Sequence, residues 1–239
     1  MRIEEDIKKH QEAGRIAQTI LLEGAKMITP GASMRGVLDT IEDRIRKENA
    51  GIAFPAQISL NNVAAHYCPA SSDETLFKEG DIAKLDIGVH VDGRIADNAI
   101  TVNLGDHDDL TKASKEALEA ALNIIRPGIT LGEIGKTIQE AITSYGYRPV
   151  RNLSGHGLGE FQVHMPPSIP NFDSKDTTEL QEGQVIAIEP FATDGKGLIY
   201  ESGNPTIFSL VNPNRPVRSP LTRAVLTTIK TYNGLPFAS

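Results

Sequence analysis

Lys84-Leu85-Asp86-Ile87-Gly88-Val89-His90-Val91 is followed by Asp92-Gly93 and then by Arg94-Ile95-Ala96-Asp97-Asn98-Ala99-Ile100-Thr101-Val102. Alternating apolar residues on both sides of an Asp-Gly pair predict two antiparallel strands joined by a tight turn. With a two-residue turn Val91 faces Arg94, so Asp86 lies across from Ala99. Side chains alternate between faces, which puts Asp97 on the face of Asp86 as its diagonal neighbour. Aspartate is depleted in strand interiors, and two carboxylates on one half-buried face repel unless a cation lies between them. That face is expected to carry no Lys or Arg, so a bound divalent metal is the economical counter-charge.

A third unusual carboxylate is Glu189, within Val185-Ile186-Ala187-Ile188-Glu189-Pro190-Phe191-Ala192-Thr193. This stretch is expected to be a buried strand interrupted by one acid, where an unpaired charge costs several kcal/mol or is neutralised. One such residue is ordinarily a hydrogen-bonded structural group; three in one domain point to a site. Oxygen donors suit Mg, Mn, Fe(II), Co(II) or Zn, and an added imidazole shifts the preference toward the transition metals. Of the six histidines, His10 and His107 are expected to be solvated and His90 to sit at the rim beside the turn. His66, His156 and His164 remain as candidates. Gly155 and Gly157 flank His156, which would let backbone crowd close to a ligand.

The composition narrows the function classes. A net charge of −7 argues against a general nucleic-acid or anionic-membrane surface. Cys68 is the single cysteine, so no internal disulfide forms and a reducing, cytoplasmic setting is expected. The first ten residues lack the apolar stretch of a signal peptide, and no apolar run approaches the ~20 residues needed to span a bilayer.

An internal repeat organises the chain. Thr29-Pro30-Gly31-Ala32-Ser33-Met34-Arg35-Gly36-Val37-Leu38 returns as Arg126-Pro127-Gly128-Ile129-Thr130-Leu131-Gly132-Glu133-Ile134-Gly135, with Ser33 and Thr130 as expected helix N-caps. A helical stretch precedes each copy, and Pro followed by a His-bearing segment comes after it. Two related halves, each two helices and then strands, are expected against one sheet. The acidic loop 104–110 is read as solvated, 166–183 as a surface covering, and 221–231 as a short helix.

Together the motifs resemble methionine aminopeptidases, most closely the type 2 branch of archaea and eukaryotes. The matching stretches are Ala53-Phe54-Pro55, Ser59-Leu60-Asn61-Asn62-Val63-Ala64-Ala65-His66-Tyr67, the Asp86/Asp97 hairpin, Asn152-Leu153-Ser154-Gly155-His156, His164 through Asn171, and Ile188-Glu189-Pro190-Phe191-Ala192. They run in order across residues 10–210. The resemblance implies an α+β pita-bread fold: a curved antiparallel sheet with two pseudo-symmetric helix pairs. It implies a catalytic domain over 1–208, in halves of about 1–104 and 111–208, with 209–239 beginning a helical insertion. It also implies two divalent metal ions (Co, Mn, Fe(II) or Zn) held by Asp86, Asp97, His156 and Glu189. Asp97 would bridge both ions, and Glu189 would also shuttle a proton. His66 and His164 would contact the substrate, and Phe54 and Val163 would line a methionine pocket. The implied partners are N-termini of nascent polypeptides and the ribosome, with the enzyme a cytoplasmic monomer.

One family feature has no counterpart: a second glutamate that bridges both metals near the C-terminus. No acidic residue follows Glu201, so the chain is expected to be a fragment, or else a short member that has lost this ligand. Two rival readings stay open. One is a pita-bread binding module without hydrolysis, which has no need of four metal ligands. The other is a Xaa-Pro dipeptidase, which ordinarily carries an N-terminal domain for which there is no room before Ile16. Without the fifth ligand the chain is expected to bind metal weakly and hydrolyse poorly. Titration with divalent metal, with and without an appended C-terminal segment, checks this; full activity of the short form contradicts it.

Overall fold

The computed structural model describes residues 2–238. Met1 and Ser239, the outer ends of the expected domains, lie outside the described residues. The chain forms two compact units: Met1–Leu104 with Gly159–Val163 and Asn204–Ser239, and Gly105–Leu158 with His164–Gly203.

The first unit begins with α1 (Arg2–Met27) and α2 (Met34–Lys47). Ala13, Ile16, Ala17, Ile20 and Leu21 recur at helical spacing and are buried, as are Met34, Val37, Leu38, Ile41 and Ile45. These two stripes pack on a three-stranded antiparallel sheet of β1 (Gly51–Leu60), β2 (Ile82–Val91) and β3 (Arg94–Asn103), in that order. The expected hairpin register holds: Val91 pairs with Arg94, Asp86 with Ala99 and Gly88 with Asp97. Asp92 and Gly93 have φ of 47° and 81°, the pair of left-handed residues that a tight hairpin turn of this twist requires. Ala83, Leu85, Ile87 and Val89 are all fully buried in the helix-covered core. Burying a Leu, Ile or Val side chain contributes about 1.5–3 kcal/mol, so Leu85, Ile87 and Val89 hold β2 in place and commit its even positions to the opposite face.

The second unit carries α3 (Asp108–Ile124) and α4 (Leu131–Ser144). Their buried stripes are Ala113, Ala117 and Ala121, and Leu131, Ile134, Ile138 and Ile142. Short strands β4 (Arg148–Pro149) and β8 (Ala192–Thr193) pair with each other, and β5 (Ser154–Gly159) lies between β6 (Gln162–Pro170) and β7 (Ile186–Ala187). In the first unit, β9 (Ile207–Phe208) pairs with β10 (Phe237–Ala238), and α5 (Pro220–Lys230) buries none of its residues. Among the described residues no helix is long and apolar enough to cross a membrane.

The repeat read from sequence recurs in the backbone hydrogen bonds. Gly31 N–H donates to Phe77 O, Phe77 to Ala32 and Met34 to Thr75; Gly128 donates to Leu180, Leu180 to Ile129 and Leu131 to Thr178. Ser33 caps α2 through the Gly36 amide, and Thr130 caps α4 in a reciprocal arrangement with Glu133.

Four expectations need correction. The loop expected over 104–110 ends at His107, because residues 108–110 open α3. Residues 185–193 are not one buried strand: β7 ends at Ala187 and β8 starts at Ala192, with Glu189 in the half-buried break between them. Pro190 has no N–H to give a ladder, which interrupts pairing there. His10 is not solvated, because its Nδ1 bonds the Ile95 carbonyl at 3.0 Å. The glycines beside His156 serve the sheet itself. A Cβ at Gly155 would lie 2.2 Å from Ala187 O, and one at Gly157 would lie 2.2 Å from Pro166 O.

Gly155→Ala and Gly157→Ala must therefore push backbone apart, and each is expected to lower stability by about 3 kcal/mol or more. Gly14→Ala, inside α1 with nothing within 4 Å of the added methyl group, is expected to raise stability by about 0.5–1 kcal/mol. Urea unfolding of the three variants measures both.

Candidate metal centre

In the first unit the even-numbered face of β2 carries the chemistry. Asp86 is half-buried and Asp97 of β3 faces Gly88. Phe54 lies against Gly88 from β1, where a Cβ would come within 2.4 Å of its ring; the pairing register shifts on both sides of Phe54. Such irregularities re-aim side chains beside functional sites, and here they leave Phe54 buried and Gln57 opposite Asp86. Val163 is also buried in this unit. The preceding turn is fastened by the Phe161 N–H, which donates to Gly93 O at 2.9 Å, and by Arg94, which pairs with Glu160 at 3.0 Å.

The expectation that this face lacks a cation is overturned by Lys84. Two residues from Asp86 on the same strand, it shares that face by the same alternation that places Asp97 there. Its Nζ donates to Asn61 O at 2.9 Å, and burial pulls its pKa down to about 8. The case for a metal must therefore rest on other groups.

His66 follows β1 and is exposed, with a left-handed backbone (φ 64°). Few non-glycine residues adopt that conformation. The next residue, Tyr67, donates its N–H to Ser59 Oγ at 3.3 Å, accepts from Ile58 N–H, and donates its hydroxyl to Asp73 at 2.7 Å. These bonds fold the loop back along β1. His90 hydrogen-bonds the Gly93 amide through Nδ1 and meets the Phe161 ring edge-on, so it fastens the turn. Burial holds its pKa below the usual imidazole value.

The second unit brings together His156, Glu189 and His164. His156 Nδ1 is 3.0 Å from the Gly157 carbonyl. A carbonyl can only accept, so Nδ1 carries a proton and Nε2 is the nitrogen turned to the carboxylate. That nitrogen lies 3.0 Å from Glu189 Oε1. A lone pair and a carboxylate at this distance repel unless a proton or a cation serves both. An imidazole whose other nitrogen donates to a backbone carbonyl, set against a carboxylate, has the donor chemistry of a transition-metal ligand pair. The His164 ring meets His156 in a T-shape, with centroids 4.4 Å apart. His164 is exposed while Val163, its neighbour on β6, is buried, as alternation along a strand requires.

Two asparagines secure the approach to His156. Asn152 donates to Ile199 O and accepts from Ile199 N–H, and Asn171 donates to Leu153 O. Lys84 and Gln57 were missed from sequence. Counting by two from Asp86 would have found Lys84. Gln57 was hidden by the register shift in β1.

The match to the description "Metallopeptidase family M24" covers residues 8–209. A methionine aminopeptidase from Archaeoglobus fulgidus is 50% identical over 228 residues, covering 95% of this chain and 78% of the relative. One from Thermococcus onnurineus is 48% identical over 230 residues, again with 95% and 78% coverage. The crystal structure of a methionine aminopeptidase from Thermotoga maritima superposes with a TM-score of 0.74 at 32% identity, covering 80% of this chain and 81% of that one. The fold is thus the α+β pita-bread architecture expected from the motifs. The chain belongs to metallopeptidase family M24.

Proposed function

We propose that this protein is a metallo-aminopeptidase that removes the N-terminal methionine from polypeptides, with Asp86, Asp97, His156 and Glu189 holding two divalent cations. The observation that carries the reading is the His156–Glu189 pair, whose 3.0 Å contact suits a shared cation. His156 and Glu189 offer the donor types of a metal site, and the family is one of metallopeptidases. Relatives at 44–50% identity are methionine aminopeptidases. The substrates are then N-termini of nascent chains, met in the cytoplasm by a monomer working near the ribosome.

Bound divalent cations supply an acidified water and polarise the scissile carbonyl. Glu189 Oε1 takes a proton and returns it to the departing amide nitrogen. His164 donates a hydrogen bond to the oxygen on which negative charge develops, and His66 contacts the nitrogen side of the same bond. Phe54 and Val163 enclose the methionine side chain, where apolar fit discriminates by about 1–3 kcal/mol per methylene. Co, Mn, Fe(II) and Zn all suit this donor set.

Release of methionine from Met-Gly peptides, against Xaa-Pro dipeptides, with each cation in turn tests the reading. Preference for Met-Gly supports it. Xaa-Pro preference favours a dipeptidase, and inactivity on every peptide favours a binding module. Glu189→Gln is expected to lower kcat by about 10²–10⁴-fold, in the range of lost general acid–base catalysis. Chelation is expected to lower the Tm, because an ion that binds only the folded state stabilises it. His156→Ala should abolish that chelator-induced shift; an unchanged shift would remove His156 from the ligand set.

A further inference from the structure

Gln57 is 4% exposed, and among the described residues its buried Oε1 has no hydrogen-bond partner. Polar groups near it on β1 have partners within the protein: Ser59 Oγ accepts from Tyr67 N–H, and the Ala56 amide donates to Glu42. Gln57 also pairs in register with Asp86, just past a register shift, so its side chain shares the face of that carboxylate. A buried amide oxygen is an acceptor only, and leaving it unmade is costly. On this face Phe54 has no proton to give, and the Lys84 ammonium donates to the Asn61 carbonyl.

We propose that Gln57 is a positioning residue of the site, whose Oε1 accepts a hydrogen bond from an N–H or O–H group carried by the cation that Asp86 holds. The inference rests on Asp86 being a metal ligand, as proposed above. Two groups have this chemistry: a water in the resting protein and the free α-amine of a substrate or product. Each retains hydrogens that need acceptors once its lone pair is engaged. An acylated amine has no such lone pair to offer, so the acceptor also favours a free N-terminus.

Gln57→Leu removes the acceptor at similar volume, and Gln57→Met serves if the leucine variant does not fold. Calorimetry on the full chain measures Mn²⁺ binding alone, then L-methionine binding to the Mn²⁺-loaded protein, with N-acetylmethionine as control. The variant is expected to weaken one of the two by about tenfold, the worth of one hydrogen bond to a charged group. Loss in the Mn²⁺ arm identifies water as the donor, and loss in the methionine arm identifies the amine. The Tm of the metal-free variant is expected to equal or exceed that of the wild type, because an unsatisfied buried polar atom has been removed. Unchanged affinity in both arms overturns the inference, and so does a metal-free variant that loses stability, since the amide is then paired within the sheet. A wild-type chain that binds no Mn²⁺ fails at the metal reading itself, which separates the two.

Discussion

The two-sidedness of β2 is the constraint on which the rest of the site depends. Its odd residues, Ala83 to Val89, are sealed into the helix-covered core without any exposure. The even residues Lys84, Asp86 and His90 are thereby forced onto the other face. A slip of one residue would bury two charged groups and expose four apolar ones. The hydrophobic core therefore aims the carboxylate, and the Asp92-Gly93 turn transmits the same register to Asp97 on β3.

Electrostatics sets the second condition. Carboxylate oxygens and an unprotonated imidazole nitrogen are electron-pair donors, and the fold brings His156 Nε2 within 3.0 Å of Glu189 Oε1. Such a pair of donors suits a cation. This agrees with the family to which the chain belongs.

The supporting framework is built twice. The Pro-Gly segment before α2 and its counterpart before α4 make the same three backbone bonds to a distant strand-like segment, and each helix is capped by a hydroxyl side chain. Each copy fixes the helix that follows it. Gly155 and Gly157 show how tightly this framework is drawn around His156. Their missing side chains are what let three strands close on one imidazole.

The sequence by itself determined the hairpin, its turn and its register, together with the repeat and the helix caps. These follow from local rules: alternation by two, left-handed turn residues, and hydroxyls that satisfy the first amides of a helix. Family motifs added the identity of Asp86, Asp97, His156 and Glu189 as candidates, which no spacing rule could supply. Only the tertiary structure decided that Glu189 sits in a break between β7 and β8, that His10 is tied to Ile95, and that Gln57 stands opposite Asp86. Each of these depends on which distant segment packs alongside. A side chain's partner across a sheet is set by pairing and bulges between strands, and that information resides in the packing of the whole chain.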